Sequence, residues 1–136
     1  MSIYTTAEFY WLVLTILMTS LLWVPYIVNR MLEQGILAAL WDPYGETGTQ
    51  RPWAQRMMQA HQNAVENLVV FAPLVILVLV TNNMSGITAT SCMLYFFARA
   101  IHFLAFTFAI PLLRVLTFLL GFAAQLVLAL VLLQIL

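Results

Sequence analysis

The chain contains no lysine, and only 7% of its 136 residues are charged. Water-soluble domains carry about 25% charged residues, so the composition excludes a soluble globular protein. Five arginines balance five carboxylates, and the formal net charge is zero. There is thus no bulk field to gather nucleic acid or an acidic partner. A single cysteine, Cys92, excludes an internal disulfide and a CxxC redox pair. It lies in an apolar run and reads as an inert packed thiol. The N-terminal stretch lacks a basic region before its first apolar run and a small-residue cleavage pattern after it, so that run is expected to be a retained helix and not a signal peptide. The two histidines, His61 and His102, fall on different predicted helices with no HxxxH or ExxH spacing, and no metal site is expected.

What is abundant is apolar surface: 64% of the residues are hydrophobic. They form four long segments, at about 9–28, 53–80, 87–108 and 112–136, each able to cross a hydrocarbon core that needs about 20 residues. The expected fold is an all-α integral membrane protein, a four-helix transmembrane bundle forming one domain over residues 1–136. Tyr10, Trp11 and Tyr26 lie near the ends of the first segment, where aromatic belts belong, and Pro25 marks a kink. Residues 30–52 are the long hydrophilic connection. It begins as a short interfacial helix through Leu40 and continues through a stretch from Trp41 to Pro52 that is dense in turn formers. Residues 81–86 form a short turn, which makes the second and third helices antiparallel neighbours. Ile110-Pro111 separates the third from the fourth. Arg30, Arg51, Arg56 and Arg114 fall at one membrane face, and the other face has no cation. This asymmetry places the 30–52 loop in the cytoplasm and both termini on the non-cytoplasmic side.

The second segment opens on a polar stripe. Counted at about 100° per residue, Arg56, Gln59, Asn63, Glu66 and Asn67 share an arc of about 100°, whereas His61 and Gln62 point elsewhere. A carboxylate inside a membrane helix costs roughly 2.5–3.5 kcal/mol on insertion scales, which makes it a functional-site hypothesis by default. The third segment has a stripe of its own: Tyr95, Arg99, His102 and Phe106 are spaced 4, 3 and 4. Arg99 needs a partner, and Glu66 is the intramembrane carboxylate this reading offers it, so the two are expected to form a structural ion pair. On the fourth segment Arg114, Thr117, Gly121 and Gln125 share a face. Three helices thus aim polar groups at a common space near the cytoplasmic face. The plainer alternative is that these groups hold helices together, at about 0.6 kcal/mol each, with Arg56 an interfacial anchor and His102 a satisfied core residue.

The pattern Arg56-x-x-Gln-Ala-His-x-Asn-x-x-Glu-Asn67, followed by Phe71, resembles the signature of the MAPEG proteins (membrane-associated proteins in eicosanoid and glutathione metabolism). Arg99-x-x-His102-x-x-x-Phe106 and Ile110-Pro-Leu-Leu-Arg114 extend the resemblance over nearly the whole chain, which looks most like the small bacterial branch. The resemblance implies a homotrimer in the bacterial inner membrane, with glutathione bound as co-substrate between subunits near the cytoplasmic face. It places Arg56, Asn63 and Glu66 at or behind the glutathione site. Gln59, His61, Asn67 and His102 fall at further cofactor-contact positions, and Arg30 falls where a basic residue holds a glutathione carboxylate. Arg114 matches the arginine that stabilises the thiolate, and Arg99 a largely structural arginine. The implied function is a membrane-bound glutathione-dependent transferase or peroxidase acting on lipophilic electrophiles.

The chemistry suits those residues. Arginine forks bond carboxylates through both oxygens, a glutamate suits an ammonium, and a guanidinium beside sulfur favours thiolate over thiol. In two places the chain departs from the family pattern. Gln59 stands where many catalytic relatives carry arginine, and Phe106 stands where many carry tyrosine. Both favour the alternative, a non-catalytic ligand-binding or protein-partner module.

Overall fold

The computed structural model describes residues 2–42 and 48–136. After a 3₁₀ turn at Ile3–Thr5 come six helices: α1 (Ala7–Leu21), α2 (Val24–Gln34), α3 (Ile36–Leu40), α4 (Pro52–Val80), α5 (Gly86–Thr107) and α6 (Pro111–Leu132). Among the described residues four stretches are long and apolar enough to cross a membrane, namely Ala7–Gln34, Pro52–Val80, Gly86–Thr107 and Pro111–Leu132. The last three lie close to the expected segments, although α6 ends at Leu132, short of 136. Part of the turn-rich stretch expected over 41–52, residues 43–47, lies outside the described residues.

The first expected segment is not one helix. It breaks at Leu22–Trp23, and Pro25 sits in the first turn of α2, where its missing N–H costs no intrahelical bond. The second helix then runs past Asn29 and Arg30 to Gln34, beyond the expected end at 28. It stops at Gly35, whose φ of 88° suits glycine and whose N–H bonds to the Met31 carbonyl. The short α3 beyond it exposes Leu37 and Leu40, and Trp41 after it is exposed as well.

The central helix is α5, packed against α1, α4 and α6. Its buried face carries Ser91, Cys92, Tyr95, Ala98, Arg99 and His102. Towards the end of the bundle that holds the 81–86 turn the core comprises Leu12, Phe71, Val75, Val78, Cys92, Tyr95 and Leu128. There the Phe71 and Tyr95 rings stack with centroids 3.7 Å apart and planes 13° from parallel. Cys92 is buried in this cluster and unbonded, as an inert packed thiol should be. A smaller cluster of Met57, Ala60 and Phe103 packs beneath Tyr26 and Trp53. α6 packs on α5 at Gly121, where a Cβ would stand 3.5 Å from Arg99 Cδ, an ordinary van der Waals contact.

One buried carboxylate went unrecognised in the sequence. Glu8, only 3% exposed, accepts from Thr88 Oγ1 at 2.5 Å and from the Ser85 N–H at 3.3 Å. Ser85 and Thr88 also form a capping box at the start of α5. The carboxylate of one helix therefore caps the N-terminus of another, where a negative charge is favoured. Glu8→Ala should lower unfolding stability by about 2 kcal/mol, the scale of hydrogen bonds to a charged group. Denaturation midpoints in detergent test this, and a midpoint equal to that of the wild type would deny Glu8 the capping role.

Candidate functional site

The polar stripe of α4 is divided between two surroundings. Asn63 turns inward, and its Oδ1 accepts from Arg99 Nη2 at 2.6 Å. Asn67 follows one turn later; its amide nitrogen donates to the Asn63 carbonyl at 2.9 Å, and its own carbonyl accepts from Gln125 Nε2 at 3.2 Å. Glu66, by contrast, is exposed and accepts from Gln62 Nε2 at 3.3 Å. The expected Glu66–Arg99 ion pair is therefore not formed within the chain. Glu66 sits at the edge of the arc, about 60° round the helix from Asn63, so the residue that faces α5 is the asparagine. Arg99 is 3% exposed, and its Nε has no partner.

Arg56 is half-buried, and its Nε donates to the Thr107 carbonyl at 2.8 Å. Thr107 is the last residue of α5, so the guanidinium meets the negative end of that helix. His61 faces away from this set, towards the first membrane segment. Its Nε2 lies 3.1 Å from the Thr19 carbonyl, and its Nδ1 lies 2.7 Å from the Tyr26 hydroxyl. A carbonyl only accepts, so Nε2 carries a proton and donates to Thr19. The ring is thus a staple from α4 to α1 and α2. Tyr26→Phe should cost about 1 kcal/mol. A thermal shift no larger than that of a surface variant such as Gln62→Ala would show the staple to be idle.

Two hollows flank α4. A recess of about 240 Å³ is lined by Asn63, His102, Phe106, Arg114, Val115, Phe118 and Leu119. Arg114 lies over the Phe106 ring, 5.0 Å from its centroid, a cation–π contact. His102 is only 3% exposed, and its Nδ1 has no hydrogen-bond partner. A buried polar atom without a partner is uncommon, and this one belongs to a side chain that lines the recess. A wider groove of about 590 Å³ lies on another side of α4, among Tyr26, Thr49, Gln55, Gln59, His61 and Gln62. Glu66 lines neither hollow. The recess thus joins Asn63, His102 and Arg114, while Gln59 and His61 belong to the groove. Among the described residues no group of three or more His, Cys, Asp or Glu is placed to hold a metal.

The family model for MAPEG proteins matches residues 9–134. The chain belongs to the MAPEG family. No curated protein and no solved structure matches it significantly. MAPEG membership and four apolar helices make it an integral membrane protein, and its fold is the all-helical membrane bundle of that family. The family as a whole is associated with glutathione. On this MAPEG scaffold the arginine and histidine of the α5–α6 end come together at the recess, and the polar residues of α2 and α4 come together at the groove.

Proposed function

We propose that this MAPEG protein is a membrane-bound glutathione-dependent transferase or peroxidase for lipophilic electrophiles, working as a homotrimer in a bacterial inner membrane with its termini on the non-cytoplasmic side. The observation that carries the reading is the recess. It brings Arg114, Asn63 and His102, whose Nδ1 has no hydrogen-bond partner, to a wall otherwise made of Phe106, Val115, Phe118 and Leu119. That lining suits a ligand with one polar, anionic part and an apolar reaction partner arriving from the lipid. Glutathione lies between copies, with the recess of one facing the groove of the next. Arg114 holds the sulfur as thiolate, His102 and Asn63 offer hydrogen bonds, and Arg56, Gln59, His61 and Asn67 complete the surroundings. Exposed Glu66 takes the ammonium, and Arg30 takes a carboxylate. The thiolate sulfur bonds to an electrophilic carbon, and the leaving group departs with its electron pair.

The Phe106 ring beneath Arg114 has no hydroxyl to direct at a cofactor, and Gln59 in the groove has no charge. Both features favour the second reading, a MAPEG-type binding module without catalysis. Purified protein mixed with glutathione near neutral pH distinguishes the two. A thiolate band in the ultraviolet difference spectrum is the expected result. Calorimetric binding with a flat spectrum would leave the binding module standing, and no binding at all would remove glutathione from the account.

A further inference from the structure

Arg30 is already occupied by a carboxylate of its own chain. Its Nη2 is paired with Asp42 Oδ2 just beyond α3. Both side chains are largely shielded, with Arg30 21% and Asp42 10% exposed, and the Arg30 Nε is buried without a partner. Arg30 follows Tyr26 by one turn of α2, so both stand on one helical face, and Tyr26 lines the groove beside His61. The next turn fastens the far side of the loop. Glu33 Oε1 accepts from Asn29 Nδ2 at 2.8 Å and Thr49 Oγ1 at 2.9 Å, and Glu33 Oε2 accepts from the Gln50 N–H at 3.0 Å. The two described ends of the loop are therefore bonded to α2 one turn apart, and Asp42 is held against the guanidinium.

We propose that Asp42 is a built-in competitor for the ligand carboxylate that Arg30 would take, and so sets the affinity and selectivity for carboxylate ligands at this end of α2. This rests on the glutathione reading above. Binding is then an exchange at one guanidinium: the ligand carboxylate displaces the Asp42 carboxylate, and the number of charge pairs is conserved. Half-buried pairs in one network couple by amounts that shift an equilibrium severalfold, so removing the competitor has a measurable effect. A ligand without a carboxylate gains nothing from Arg30 and has no means of displacing Asp42, so the pair also excludes neutral thiols.

The test is calorimetric titration of glutathione into the full-length protein in lipid nanodiscs, comparing wild type, D42N, R30Q and D42N/R30Q. D42N should bind about five- to tenfold more tightly than wild type. The gain should vanish when Arg30 is also replaced, and it should be absent with glutathione diethyl ester, whose carboxylates are blocked. D42A is run alongside, so that a folding fault in one variant does not decide the result. Unchanged affinity in D42N and D42A, or a gain that survives R30Q, overturns the competitor role and leaves the glutathione reading intact. Absence of binding in every protein overturns the glutathione reading, and the competitor role with it.

Discussion

Arg114→Ala should lower glutathione-conjugating turnover by about 100- to 1,000-fold, the usual cost of removing one positioned electrostatic stabiliser, while KM changes far less. The reason lies in what the residue touches. Its guanidinium is set over the Phe106 face and lines the recess with His102 and Asn63. Nothing else in that lining carries a fixed positive charge, so alanine removes the group that would stabilise a thiolate there. A loss confined to kcat marks an interaction made with the reacting sulfur and not with the rest of the peptide. Arg114→Lys should recover part of the rate, since it keeps the charge but loses the planar group lying over the ring. The thiolate absorbance should fall in parallel with kcat. Full turnover in the alanine variant would move catalysis away from this arginine and return the recess to a packing role.

Asn63→Ala should destabilise the fold by about 3 kcal/mol, whereas Glu66→Gln should change stability by no more than about 0.5 kcal/mol. Arg99 is buried and bonded to Asn63 Oδ1, and its Nε already lacks a partner. Removing the amide leaves a buried cation with nothing in its place. Glu66 is exposed and bonded only to Gln62, one turn away on its own helix. Denaturation midpoints for the two variants, measured side by side, decide between the partners. The reverse ranking would mean that the carboxylate, supplied across a contact between copies, is what balances Arg99.

The two pairings show how far the sequence could be read. Hydropathy located the last three membrane helices well, because a bilayer forces every backbone polar group into an intrahelical bond and so makes long apolar runs unambiguous. Family-specific spacing named nine candidate site residues, and of these the fold brings Asn63, His102 and Arg114 to one recess. The choice between Asn63 and Glu66 was not legible. Both lie within the same arc of α4, and a preference for opposite charge favours the wrong one when helix rotation is unknown. An amide facing Arg99 also avoids burying a second charge. Glu8 escaped notice because it lies just ahead of the first apolar segment, where a carboxylate reads as solvated; its role depends on Thr88 and Ser85, about 80 residues further along the chain. The break at Leu22–Trp23 had a visible cause in Pro25, but the continuation of α2 to Gln34 did not. Asn29 and Arg30 look like the end of a membrane segment until Glu33, one turn further along α2, and Asp42, beyond α3, are seen to engage them.

The placement of the two hollows has a consequence for symmetry. Recess and groove open on different sides of α4. In the proposed assembly, where the recess of one copy meets the groove of the next, the contact is head-to-tail, and a ring closed by such contacts has as many cavities as chains. A chain with a damaged groove placed in an otherwise intact ring would silence one site, and that site's recess would belong to its neighbour.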